Sequence, residues 1–293
     1  MSIAVNWANP YETRDGAWFK GNLHAHTGEG SPCGSVPSQR VLDLYGQAGY
    51  DFLAVSDHMY LNLPERSELT LIPGVEWNAS KGGHTGIYSL DLDTIRHAID
   101  SEDHDLLLKS LSRPDTLVVL NHPNWQLVPH YRREQLYALG PFDGIEIYNG
   151  VIERLPGYAI ATDKWDALLI NDQRVFGFAS DDSHVETDIG LAWIMVRSTA
   201  CQPAPLLESM RHGNFYCSCG VVLSDIRREG NVITIESENA QEFHAIVDGG
   251  RCMARVSDAV IVYDVSGLDA VYVRFAAYGP GSTMAWTQPF FLR

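Results

Sequence analysis

The sequence predicts an α/β fold: a closed barrel of strands and helices, followed by a small all-β module. Three observations predict it. Short apolar runs alternate with helix-like segments from residue 17 to about residue 215, the texture of parallel α/β architecture. Histidines and carboxylates recur directly after those runs, where barrel enzymes assemble their sites. From about Leu223 onward the helical period vanishes and short β runs with turn residues replace it.

Taken in order, "AWFKGNL" reads as the first strand and "PSQRVLDLYGQAGY" as a helix, with Pro37 where a helix start tolerates it. "YDFLAVS", "LTLIPGVEW" and "TGIYSLDL" read as strands, and "DTIRHAIDSEDHDLLLKSL" has helical spacing. "TLVVLN", "GIEIYN", "RVFGFAS" and "LAWIMVRS" complete the strand set, with "ATDKWDALLINDQ" as a helix among them. Seven or eight strands separated by helices predict closure into a barrel over residues 1–222. "NVITIES", "EFHAIVDGG", "AVIVYDV" and "AVYVRFAAYG" then predict a small sandwich over residues 223–293, packed on the barrel.

The 293 residues, 45% of them hydrophobic, suffice for a large core. The opening "MSIAVNWANPYETRDG" lacks a basic segment leading into an apolar one, and no run approaches the roughly 18 apolar residues of a membrane span. Both features predict a cytoplasmic protein with no membrane partner. A formal charge of −16 argues against a nucleic-acid partner, because phosphates are bound by Lys and Arg. The five cysteines are an odd number without zinc-knuckle spacing and read as ordinary thiols.

The chemistry is concentrated at the ends of the runs. His24 and His26 follow the first, Asp57 and His58 follow "FLAVS", and Glu76 closes "LIPGVEW". His122 follows "TLVVLN", while Asp181, Asp182 and His184 follow "VFGFAS". His84 joins them if its loop folds back over the rim. In an extended chain residues i and i+2 face one side, so His24 and His26 can reach one ion together, and Asp182 and His184 can both point inward. Mixed imidazole and carboxylate donors suit Zn, Mn or Fe, and so many of them suggest two or three divalent ions with a bridging carboxylate. Asp57 reads equally as ligand, as orienter of a histidine or as proton donor. His97, His104, His130, His212 and His244 are placed outside the site.

The strings "NLHAHT", "VSDH", "GVEW", "GGHTGIYSL", "NHP" and "ASDDSH", in that order, resemble the motifs of the polymerase-and-histidinol-phosphatase (PHP) superfamily of metal-dependent hydrolases. "WFKGNLHAHT", "HGNFYCSCG" and "AWTQPFFL" further resemble its carbaryl hydrolase-like branch. The resemblance implies a distorted barrel of seven strands and helices, TIM-like, with a two- or three-metal centre at the strand C-termini. It implies that His24, His26, Glu76 and Asp182 hold one ion, that His84 and His122 hold a second across Glu76, and that His58 and His184 hold a third. Many relatives place an Asp or His where this chain has Ser31, so Glu29 or Cys33 is a substitute ligand, or that third site is weak or empty.

The implied reaction is hydrolysis of a small phosphomonoester or phosphodiester by a hydroxide bridging two ions, with Asp57, Glu76 and His184 as catalytic candidates. The alternative is hydrolysis of a carboxylic ester, carbamate or amide at the same centre; a third reading is a binding protein whose chemistry has lapsed. Glu29, Ser31, Asn124, Trp125, Asn149 and Arg154 are the candidates for contact with a small-molecule ester substrate.

Overall fold

The computed structural model describes residues 8–65, 67–80, 82–126 and 130–293. Residues 1–7, which begin the stretch read for a leader, lie outside the described residues. The strands of the first part are β1 (Ala17–Asn22), β2 (Phe52–Leu53), β3 (Thr70–Leu71), β4 (Gly74–Asn78), β5 (His84–Ser89), β6 (Thr116–Asn121), β7 (Gly144–Asn149), β8 (Phe176–Ser180), β9 (Trp193–Ser198) and β10 (Phe215–Ser218). Its helices are α1 (Ser38–Gln47), α2 (Leu92–Ile99), α3 (His104–Ser110), α4 (Arg133–Ala138), α5 (Thr162–Ile170) and α6 (Pro203–Arg211). The remaining strands are β11 (Leu223–Glu229), β12 (Val232–Ser237), β13 (Glu242–Val247), β14 (Arg251–Val256), β15 (Val260–Asp264), β16 (Tyr272–Tyr278), β17 (Met284–Thr287) and β18 (Phe290–Phe291).

The protein is mixed α/β, and the expected closed TIM-like barrel does not form. One sheet runs β14-β13-β16-β17-β10-β9-β1-β2-β3, with β18 paired to β16; a second runs β4-β5-β6-β7-β8. The physical reason lies in "GVEWNASKGGHTGIYSL". Too few residues separate β4 from β5 for a helical crossover, so they pair antiparallel, Glu76 opposite Gly86 and Asn78 opposite His84. Strand β5 pairs antiparallel to β6 as well, and β9 antiparallel to β1, so among the described residues the parallel runs are only β1-β2-β3 and β6-β7-β8. The two sheets meet instead at their rim, through parallel bridges between His58 and Glu76 and between Ala25 and Ser183.

Helices cover the sheets with the faces their periodicity selects. Val41, Leu42 and Tyr45 of α1, Ile95 and Ala98 of α2, and Leu206, Leu207 and Met210 of α6 are buried. Asp91 and Asp103 cap α2 and α3 by accepting from Asp93 N and Leu106 N. At α1 the N-cap is Pro37, which makes no side-chain cap bond, and Glu29 fills the role from a distance: Ser38 N lies 2.9 Å from its Oε2.

The β-rich tail splits between two sheets. Strands β11-β12-β15 form a three-stranded sheet, whereas β13, β14, β16 and β17 extend the large sheet through the β10–β17 pairing. A buried ion pair, Arg274 of β16 on Asp166 of α5 at 2.7 and 2.6 Å, fastens this tail to the first part. All five cysteines are free thiols. Among the described residues no helix is long and apolar enough to cross a membrane.

Candidate metal centre

The rim where the sheets meet gathers the polar groups. Ala25 is held by its bridge to Ser183, so the chain stays extended beyond β1 and His24 and His26 fall on one side. Their Nε2 atoms are 3.1 Å apart, and each lies 3.1 Å from Asp182 Oδ1. Glu76 stands between strands: its Oε1 lies 3.2 Å from His24 Nε2, 3.1 Å from His84 Nδ1 and 3.1 Å from His122 Nε2. Its Oε2 lies 3.3 Å from His26 Nε2 and 2.9 Å from His58 Nδ1. Tetrahedral donors about 2.0–2.1 Å from a zinc ion are about 3.3 Å from one another, so this spacing is that of a ligand shell.

A test of the fit comes from unmet polarity. Glu76 Oε2 and Asp182 Oδ1 are buried and have no partner in hydrogen-bond geometry, although imidazole nitrogens surround both. Buried carboxylate oxygens are normally satisfied, and lone pairs aimed at a common point suit a cation. Among the described residues, four overlapping sets of donors could each hold an ion: His24, His26 and Glu76; His24, His122 and Asp182; His58, Glu76 and His84; and His26, His58 and His184. The chain therefore has a centre suited to divalent metal ions. Two of its members, His122 at φ +28° and Asp182 at φ +53°, have backbones that non-glycine residues rarely adopt, as active-site residues often do.

Outer groups fix the rings. Glu146 Oε1 takes the far nitrogen of His24 at 2.8 Å, and Ser31 Oγ takes that of His26 at 2.9 Å while donating to Asp57 at 2.6 Å. Asn121 Nδ2 donates to Glu76 Oε1 at 2.9 Å, and Asn149 Nδ2 donates to Glu146 at 2.9 Å and to Asp182 at 3.1 Å. Asn78 Oδ1 is 3.0 Å from His58 Nδ1, and His184 Nδ1 donates to the main-chain oxygen of Asp182 at 2.7 Å.

Electrostatics follow from this packing. Burial opposes charge on His24, yet the carboxylates of Asp182, Glu76 and Glu146 outweigh it and raise its pKa well above the ordinary value. His26 is raised in the same way, by Asp182 and Glu76. Burial likewise opposes charge on Glu76, but His24 and His84 hold it well below the carboxylate range; His24 and His26 do the same for Asp182. In His84 burial prevails and its pKa falls. His184 and His58 outweigh burial at Cys33 and bring its thiol to about 6.

Above the centre lies a cavity of about 380 Å³, walled by Trp125, Leu155, Val185, Cys33 and Arg154, with His58, His84, His122 and His184 at its floor. Arg154 is its lining cation among the described residues. Its Nε and Nη2 grip Asp188 at 2.8 and 2.7 Å, and Asp188 in turn accepts from His184 N at 2.9 Å.

Several sequence expectations are corrected here. Glu29 faces away, capping α1, and Asn124 bonds Ile160 O and Asp163 instead of lining the cavity. Ser31 and Asn149 are buried among the braces, out of reach of a substrate. Asp57 is fully buried behind Ser31, its oxygens taken by Thr27, Ser31 and Asn62, so its carboxylate does not face the cavity. His130, set outside the site on sequence, packs against His122 with Nδ1 atoms 3.0 Å apart and accepts from Gly83 N at 2.7 Å. Glu146, Asn121 and His130 are the participants that sequence reading missed. A signal existed for Glu146: a carboxylate in the apolar run "GIEIYN" must be paired once buried.

No family model matches the chain. No curated protein matches it. Among solved structures it is similar to a two-domain protein from Bacteroides vulgatus ATCC 8482 described as containing a predicted PHP-like metal-dependent phosphoesterase: TM-score 0.53 and 15% identity, covering 98% of this chain and 91% of that one. That likeness is one of fold. A lesion-specific endonuclease, PfuEndoQ from Pyrococcus furiosus, is similar at TM-score 0.48 and 14% identity over 68% of this chain and 56% of that one. Endonuclease Q in complex with a 27-mer duplex bearing an abasic lesion gives TM-score 0.48 and 13% identity over 67% and 56%. With a DNA endonuclease among the similar structures, the expectation of no nucleic-acid partner is set aside. Net charge is a sum over the whole surface, whereas binding depends on the local field, which bound cations can invert.

Proposed function

We propose that this chain is a metal-dependent hydrolase, and that its substrates are phosphate esters. The observation that supports it most is the convergence of imidazole nitrogens on the two oxygens of Glu76 at 2.9–3.3 Å, beside a carboxylate oxygen of Asp182 left without a partner. In this reading His24, His26, Glu76 and Asp182 hold one ion, Glu76, His84 and His122 a second, and His58 and His184 contribute to a third position. The ions are divalent Zn, Mn or Fe, since nitrogen donors dominate. Such ions supply Lewis acidity and lower the pKa of a hydrolytic water.

The chain's own groups supply the rest. Arg154, its plane fixed by Asp188, faces an anionic oxygen of the substrate. His184 donates through Nδ1 to Asp182 O, which leaves Nε2 as the nitrogen available to the cavity. With no ion on that nitrogen, the protonated ring is placed to deliver a proton to the departing oxygen. Trp125, Leu155 and Val185 keep bulk water from the reacting group.

A second reading, hydrolysis of a carboxylic ester, carbamate or amide, is favoured by the wall itself, which combines an indole and two aliphatic side chains with one cation. The narrower sequence resemblance to carbaryl hydrolase-like proteins points the same way. Metal analysis of the purified protein, with a hydrolysis screen over p-nitrophenyl phosphate, bis-p-nitrophenyl phosphate, p-nitrophenyl acetate, a naphthyl carbamate and a duplex oligonucleotide, decides between them. Turnover of the phosphate esters is expected. Turnover of the carbonyl compounds alone refutes the first reading, and a protein that retains no transition metal refutes both.

A further inference from the structure

We propose that Lys164 is a positioning residue of the metal centre: its ammonium ties the main-chain carbonyls of Pro123 and Tyr131 together and so holds His122 and His130 against Glu76 and His84. The inference rests on the metal-centre reading above. Lys164 sits in the first turn of α5 and is only 3% exposed. Its Nζ donates to Pro123 O and to Tyr131 O, and among the described residues it forms no ion pair with a carboxylate. A buried ammonium with no carboxylate in contact is costly, so its cost must be offset by the main chain it organises, with the Asp163 charge helping from a distance. Burial lowers its pKa to about 8, which leaves it charged at neutral pH.

The two carbonyls belong to the residues that directly follow His122 and His130. One side chain thus reaches the main chain beside both rings, and Tyr131 N closes the same point by donating to Pro123 O at 3.2 Å. The rings themselves stack at 4.9 Å and 16°. His122 holds a φ of +28°, and such a backbone persists only where its surroundings fix it on several sides. Two restraints do so: His122 N donates to Glu146 Oε2 at 2.7 Å, and Lys164 holds the next carbonyl.

Lys164 is anchored in turn. Two residues along α5, Asp166 accepts both arms of Arg274 and the hydroxyl of Tyr272 at 2.8 Å, while the Arg274 guanidinium lies 5.2 Å from the Trp165 ring centroid. The tail sheet fixes the helix, the helix fixes the ammonium, and the ammonium fixes the His122 side of the centre. Lys109, exposed and paired with Asp105 on α3, has no such link and serves as the control.

The test compares wild type, Lys164→Met and Lys109→Met. Metal-free protein is titrated with Zn²⁺ against a chromophoric chelator, ions are counted by mass spectrometry after desalting, and the metal-free Tm is recorded. Lys164→Met is expected to weaken one ion by about 10–100-fold, the range for lost outer partners of a metal ligand, with the other binding step and Lys109→Met unchanged. Equal ion count and affinity in a folded Lys164→Met overturn the proposal. If that variant lacks the wild-type far-UV circular dichroism, Lys164→Gln, which keeps an amide donor group but no charge, takes its place; an intermediate loss supports the tether and an unchanged affinity overturns it. Wild-type protein that binds no Zn²⁺ overturns the metal-centre reading and the tether with it, whereas normal wild-type binding with an unaltered variant overturns the tether alone.

Discussion

The two sides of Glu76 differ in how they are held. On one side His24 and His26 have side chains 0% exposed, and each far nitrogen is taken by a fixed oxygen, from Glu146 or from Ser31. On the other, His58, His84 and His184 are 16–18% exposed and open onto the cavity. The buried side has its geometry set before any ion arrives, whereas the open side trades that rigidity for access. The contrast suggests a tightly kept ion inside and an exchangeable, substrate-facing position outside.

Removing the shared group should abolish the contrast. Glu76→Gln is expected to cut hydrolysis by more than about 100-fold and to lower ion content on both sides, because even an outer partner is worth about 10–100-fold. Activity and ion content measured together check it; full ion content would show that Glu76 is not the bridge. A milder change should separate the sides. Glu146→Gln is expected to weaken the buried ion by about 10–100-fold, and Asn78→Ala, beside the partly exposed His58, to weaken only the open position and by less. Chelator competition on the two variants compares the losses directly, and equal losses would erase the proposed asymmetry.

Protons give a third way to sharpen it. The carboxylates raise His24 and His26 above the ordinary imidazole value, so these rings hold protons more firmly than a free imidazole does, whereas burial lowers His84. A raised folded-state pKa means that protons compete with the ion until the pH exceeds that value. Filling the buried side at pH 7 is therefore expected to release protons, and its affinity should fall on acidification more steeply than that of the open side. Calorimetry in two buffers of different ionisation enthalpy counts them; no release would contradict the assignment.

How far the sequence could be read follows from the same division. The candidate ligands that the fold gathers at the rim were legible as candidates, because each stands in a short motif at the end of an apolar run: His24 and His26, His58, Glu76, His122, Asp182 and His184. Strand direction was not, since an apolar run reads alike in a parallel or an antiparallel pair, and only the short β4–β5 connection distinguishes them. The braces were hidden for another reason. Glu146, Asn121 and His130 act across distances of 24 to 122 residues in sequence, or through a ring pair, so no local spacing betrays them. Glu29 misled because a carboxylate near a candidate ligand loop serves a helix end equally well.

The smallest expected effect concerns the cavity wall, and it tests what the open side is for. Arg154 is the cation that lines the cavity, and its hold on Asp188 reaches His184 through the Asp188 carboxylate. If it reads a phosphoryl oxygen, Arg154→Gln removes a charge-assisted hydrogen bond worth about 1.5–3 kcal/mol; partial exposure of the side chain puts the effect at the lower end, roughly tenfold in kcat/KM for p-nitrophenyl phosphate. Ion content should not change, because Arg154 touches no ligand oxygen or nitrogen directly. Any turnover of p-nitrophenyl acetate should be little affected, since a neutral ester has no anion for the guanidinium to meet. An equal loss on both substrates would mean that Arg154 acts through Asp188 on His184, and the open side would then be a proton-delivery wall instead of an anion site.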